Sequence, residues 1–165
     1  MASPVRGRPP RGQPVVLSED ARAFANRHRV ARLATVNSQA CPHIVPICYA
    51  VTADAFYFVV DDKPKRSRTG LTRLRNIAGN PQVAIIMDDY EDDWTQLAFL
   101  LVRGQAAQVT DPAEYTTILE ALHHRYPQYR SMALAFQTHP MIRVTVQRQH
   151  LWRAEERGST RHVGR

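Results

Sequence analysis

Between residues 61 and 77 the chain gathers Lys63, Lys65, Arg66, Arg68, Arg73 and Arg75, with no acid after Asp62. Ser67, Thr69 and Gly70 stand where a helix would begin. The first N–H groups of a helix lack partners within it, and its dipole is positive there, so an anion is favoured at that end. Ammonium groups beside guanidinium forks suit a phosphate. The segment reads as a phosphate-binding corner. A solvated basic loop would have the same composition, so the decision rests on the elements around it.

Those elements are mostly strands. Val30–Val36 reads as a strand, Asn37–Ala40 as a turn, and His43–Val51 as the return strand. Pro46 lies inside that return and has no N–H, which places it at an edge, at a bulge or against a ligand. After a turn at 52–54, Ala55–Val60 is a third strand that leads into the corner, so the three form an antiparallel meander. Leu71, Leu74, Ile77 and Ala78 make the stripe of the following helix, and Gly79-Asn80-Pro81 ends it. Gln82–Met87 is a fourth strand. Leu97–Val102 is apolar throughout, the pattern of a strand buried on both faces. Gly104 marks a bulge or a close backbone approach. Met141–Gln147 alternates as a half-buried last strand.

Two further helices have start signals. Ser18 caps a short helix with Ala21, Phe24 and Ala25 inward. Asp111, Pro112 and Glu114 open another, with Tyr115, Ile118, Leu119 and Leu122 on its core face. Six short strands with two or three helices predict a mainly β, α+β protein built on a small antiparallel barrel. A basic tail over 1–15, a domain over 16–152 and a tail over 153–165 are expected, the N-terminal one disordered.

Net charge narrows the partners. The total is +7, but residues 1–15 supply +3 and residues 153–165 supply +2, leaving +2 for the body. The strands also offer no clear set of exposed aromatic stacking residues, so nucleic acid is an unfavoured partner. Cys41 and Cys48 form no metal or disulfide framework, which fits a reducing cytoplasm. No apolar run reaches membrane-spanning length. The acidic stretch from Asp88 to Asp93 suits a solvated hairpin tip better than a metal site, and no metal is expected. No G-x-S-x-G elbow, H-E-x-x-H helix or Cys/His dyad is present, so no side chain is assigned a catalytic role. His43 reads as a strand residue, Cys48 as a small core hydrophobe, Tyr126 and Tyr129 as packing residues. Tyr90 and Trp94 could cap a cleft or pack between subunits. His123 and His124, adjacent on a helix, do not face one ligand.

The pieces resemble, in order and spacing, the pyridoxamine 5'-phosphate oxidase-like split β-barrel family. Arg32–Val36 with Pro42–Ile47 is similar to its opening hairpin, and Lys63–Arg66 followed by Leu74–Val83 to its phosphate corner, helix and fourth strand. Asp89–Trp94, Arg103–Ala106 and Arg125–Tyr129 are similar to an actinobacterial branch described as users of the deazaflavin coenzyme F420. The resemblance implies a six-stranded antiparallel split barrel, a homodimer, and FMN or F420 bound at the interface. It implies that Lys63, Lys65, Arg66 and Arg73 hold the cofactor phosphate and that Asn76 braces the helix. Ala34, Thr35, Val45, Pro46 and Ile47 would line the ring system through their backbone. The expected activity is a reductase or oxidase acting on a small organic substrate. The Arg- and His-rich C-terminal segment of true pyridoxamine phosphate oxidases has no close counterpart, so vitamin B6 is not the expected substrate. A nucleic-acid-binding barrel and a haem-handling protein on the same fold remain the alternatives.

Overall fold

The computed structural model describes residues 14–61 and 69–154. The tails predicted at either end lie mostly outside these residues. So do Lys63, Lys65 and Arg66 of the basic corner.

Seven strands form one curled antiparallel sheet, with three helices: α1 (Glu19–Arg27), β1 (Ala31–Val36), β2 (Pro42–Ile47), β3 (Ala50–Val51), β4 (Ala55–Val59), α2 (Thr69–Gly79), β5 (Gln82–Asp89), β6 (Ala98–Gln108), α3 (Pro112–Arg125) and β7 (Met141–Arg153). The spatial order is β2-β1-β5-β6-β7-β4-β3. The mainly β expectation holds, but the strand count is seven, not six. The return strand expected over 43–51 breaks at Cys48-Tyr49, so the first three strands are not a meander. β2 pairs with β1 at one edge of the sheet, and β3 pairs with β4 at the other. Only two residues separate Ile47 from Ala50, so these edges stand within roughly 11 Å of each other. A seven-stranded sheet can meet that limit only by curling, and it forms a half-barrel.

The crossing has a chemical cause. Tyr49 is fully buried, and its N–H donates to the Tyr126 hydroxyl (3.0 Å) instead of to a strand. Its own hydroxyl donates towards the carbonyls of Ala25 (2.6 Å) and His28 (2.9 Å). Pro46 is an edge residue, opposite Arg32, where its missing N–H costs no ladder bond.

The helices start where the sequence places them. Ser18 accepts from the Ala21 N–H at 3.2 Å, and Asp111 accepts from the Ala113 N–H at 3.0 Å. The inner face of the sheet (Leu33, Ile85, Met87, Leu100, Val102, Ile142, Val144, Val146) joins α1 in one core. α3 covers a second core around Tyr57, Val59 and Met141. β4 contributes to both and is buried along its whole length. It is therefore β4, not the run at 97–102, that is enclosed on both faces. β6 alternates, with Phe99 and Leu101 half-buried on the outer face.

Gly104 sits at the register shift of the β6–β7 ladder. A Cβ there would lie 2.4 Å from the Thr145 carbonyl oxygen and 2.8 Å from Val144 Cγ1. Gly104→Ala should therefore cost about 2 kcal/mol through overpacking. Urea denaturation checks this, and an unchanged midpoint would mean that the two strands part freely here.

Candidate functional site

Only one flank of the basic corner falls among the described residues, and it is built from α2, β1 and β2. Helix propensity would put apolar residues on the face that α2 turns to the sheet. Ile77 is there and buried, Leu74 is partly buried, but Ala78 is exposed. The other buried positions are polar: Arg73 and Asn76, each 6% exposed. Being three residues apart, they share one side of the helix.

Asn76 donates from Nδ2 to Thr35 Oγ1 (3.0 Å), and the Thr35 hydroxyl donates to the His43 carbonyl (3.3 Å). This chain of hydrogen bonds ties α2 to β1 and β1 to β2. Arg73 lies over the Phe58 ring, 5.5 Å from its centroid. Its Nε is buried without a hydrogen-bond partner. Burial pushes the guanidinium below its ordinary pKa, opposed chiefly by the nearby Asp61 carboxylate. Asp61 accepts a hydrogen bond from the Tyr129 hydroxyl at 3.0 Å. The Tyr129 pKa is raised, chiefly by burial and then by Cys48 and Asp61. A buried orphaned guanidinium nitrogen is costly unless an anion completes it. A second orphan is His43 Nε2, on the strand face that Thr35 shares. Donors of this kind fit a phosphate group.

The five residues expected along a ring system do not share a face. Ala34 and Pro46 point outward, whereas Thr35, Val45 and Ile47 point into the core, as the pairs Ala34–Ile44, Arg32–Pro46, Thr35–His43, Leu33–Val45 and Ala31–Ile47 require. A planar ligand at the free edge of β2 would meet the backbone of Val45, Pro46 and Ile47, whereas Ala34 and Thr35 lie one strand in, on β1. Among the described residues no group of three His, Cys, Asp or Glu side chains is placed to hold a metal. No described helix is long and apolar enough to cross a membrane.

The polar and aromatic turn after α3 does more than its sequence pattern predicts. Tyr126 is more than a packing residue. Its hydroxyl accepts from the Tyr49 N–H and from Arg125 Nε (3.0 Å each), and it faces the carbonyls of Arg29 and Tyr49, both at 2.9 Å. Arg125 Nη2 reaches the Ala25 carbonyl at 3.1 Å and also that of His28. The signal available was the run Arg125-Tyr126, a donor fork beside an amphipathic ring, directly after a buried helix face. Tyr126→Phe would strand the buried Tyr49 N–H and should cost about 1–3 kcal/mol. An unchanged urea midpoint would show that the crossing is held by packing alone. A second check is alkaline. Burial and its hydrogen bond to Glu114 raise the Tyr57 pKa to about 12. A raised folded-state pKa stabilises the fold below the ordinary tyrosine value near 10, and that contribution fades as pH climbs towards 12. Stability measured in urea should therefore fall across that window, less steeply in Tyr57→Phe.

Comparisons with known proteins agree with this architecture. The pyridoxamine 5'-phosphate oxidase family model matches residues 17–153. Among curated proteins no sequence matches. A conserved hypothetical protein from Mycobacterium tuberculosis superposes with a TM-score of 0.65 at 20% identity, covering 87% of this chain and 89% of that one. HutZ, the haem storage protein from Vibrio cholerae, gives 0.63 at 18% identity, covering 84% and 95%. An FAD-binding protein from Mesorhizobium loti gives 0.58 at 16% identity, covering 82% and 94%. With the family model spanning the whole curled sheet, the chain belongs to the pyridoxamine 5'-phosphate oxidase family.

Proposed function

We propose that the protein is an oxidoreductase that binds FMN or the deazaflavin coenzyme F420 and acts on a small organic substrate. The observation that carries the reading is Arg73, a cation on the buried face of α2 whose Nε has no partner. A phosphate would complete it. Lys63, Lys65 and Arg66 immediately precede the helix in sequence and would supply the remaining charge. Asn76 and Thr35 would keep α2 in register with β1. The bound coenzyme would supply the redox chemistry at its ring. The chain's own part is to hold the phosphate, seat the ring along the β2 edge and keep water from it.

The reading includes a homodimer with the coenzyme at the interface. Ile44 is 63% exposed, Ile86 37% and Trp152 39%. All three lie on the outer face of the sheet with Phe99, which stacks on Trp152 at 5.5 Å. Apolar residues gathered on one uncovered sheet face favour a partner surface. A second copy packed here would cover Phe99 and Leu101, the apolar part of the outer face of β6.

A haem-handling role is the competing reading. It is favoured by the likeness to a haem storage protein and by the unpartnered buried Nε2 atoms of His43 and His123.

Parallel fluorescence titrations with FMN and F420, and an absorbance titration with haem, separate these readings. Binding of either flavin-type coenzyme is expected, weakened about tenfold or more by Arg73→Gln through loss of a charge-assisted contact. Lys65→Ala with Arg66→Ala should weaken it further and leave the fold intact. A Soret band lost in His43→Ala, with no coenzyme binding, would replace the oxidoreductase reading. If nothing binds, the reading fails.

A further inference from the structure

The outer face of the sheet, on which a second copy is proposed to pack, also carries a cationic groove, away from the α2 corner and beside Ile86 and Phe99. Cross-strand register puts Ile44, Ala34, Ala84, Arg103 and Arg148 in one row over β2, β1, β5, β6 and β7. Arg103 and Arg148 are directly opposite each other. Leu101 and His150, the next pair on the same face, complete a groove of about 260 Å³ with the two arginines. The His150 ring is held against Phe99, with centroids 5.7 Å apart.

Like charges directly opposite on neighbouring strands repel and destabilise the ladder. Other sheet arginines of this chain are neutralised. Arg32 pairs with Asp88 at 3.2 Å, and Arg143 with Asp54 at 3.0 Å and with Glu114 at 3.4 Å. Among the described residues Arg103 and Arg148 make no ion pair or hydrogen bond. Two guanidinium forks facing one groove, with an apolar floor at Leu101, match a small dianion, each fork taking one carboxylate or one edge of a phosphate. The two small side chains of Ala34 and Ala84 leave the neighbouring sheet surface low. At a strand spacing of roughly 4.8 Å, Arg103 stands about 10 Å from Ala34 along the row.

We propose that Arg103 and Arg148 form a binding site for a small organic dianion, a dicarboxylate or a phosphate, on the outer face of the sheet. The site holds whichever coenzyme fills the α2 corner, and it stands if none does.

Arginine side-chain NMR tests it on the full chain. The Nε–Hε signals of Arg103 and Arg148 are assigned with Arg103→Gln and Arg148→Gln, so that anion binding at any other cation is not counted. Glutarate and inorganic phosphate are titrated separately at low salt, and sedimentation is run on each variant. The expected result is a saturable shift of both signals with one or both probes. Each single variant should weaken it about tenfold as seen at the surviving arginine, and added salt should weaken it as well. A shift with glutarate alone assigns a dicarboxylate, and one with phosphate alone assigns a phosphate. No shift with either probe overturns the proposal. So does dissociation of an oligomer in either variant without any probe-induced shift in the wild type, which would place the arginine pair in a contact between copies.

Discussion

The architecture depends on a two-residue crossing. Cys48 and Tyr49 carry the chain from one edge of the sheet to the other, and so short a link dictates how far the sheet must curl. A backbone that leaves a ladder in a buried place needs a new partner for its amide. The Tyr126 hydroxyl is that partner, and Arg125 beside it gathers carbonyls from the end of α1. The closure of the half-barrel is therefore tied to the end of α3, almost eighty positions later in the chain. Helix, crossing and sheet curvature form one constraint, not three independent elements.

The α2 side of the molecule follows a different logic. A helix packed on a sheet normally turns apolar residues inward. Here Arg73 and Asn76 take inward positions, and the Asn76–Thr35 bond offsets only part of the desolvation. A fold selected for stability alone would place aliphatic residues at 73 and 76. Departures of this kind concentrate where a protein binds something.

The signals legible in the sequence were mainly those of backbone chemistry. Ser18 and Asp111 cap helices, Gly104 lies at a register shift with close backbone approach, and Pro46 takes the edge among the places open to it, because each of these residue types has few local uses. The break at Cys48-Tyr49 was hidden, since His43–Val51 reads as an unbroken β pattern and the hydroxyl that makes the break possible lies far away in sequence. Leu97–Val102 differs from the enclosed strand its sequence predicts for a related reason. An apolar outer face looks the same in sequence whether it is covered by the same chain or left half-exposed, as Phe99 and Leu101 are. At the candidate site, periodicity named Leu74 and Ile77 but not the burial of Arg73 and Asn76, because a polar residue on a helix is read as solvent-facing by default. The resemblance singled out both residues for another reason, their place after Lys63–Arg66.

β4 lies at the boundary between the two apolar cores and is buried in both, with Phe56 and Phe58 turned to one and Tyr57 and Val59 to the other. Neither core can open without exposing one side of this strand. Five residues thus join the α1 side of the molecule to the α3 side in a single cooperative unit. Amide protons across both halves should exchange through the same global opening.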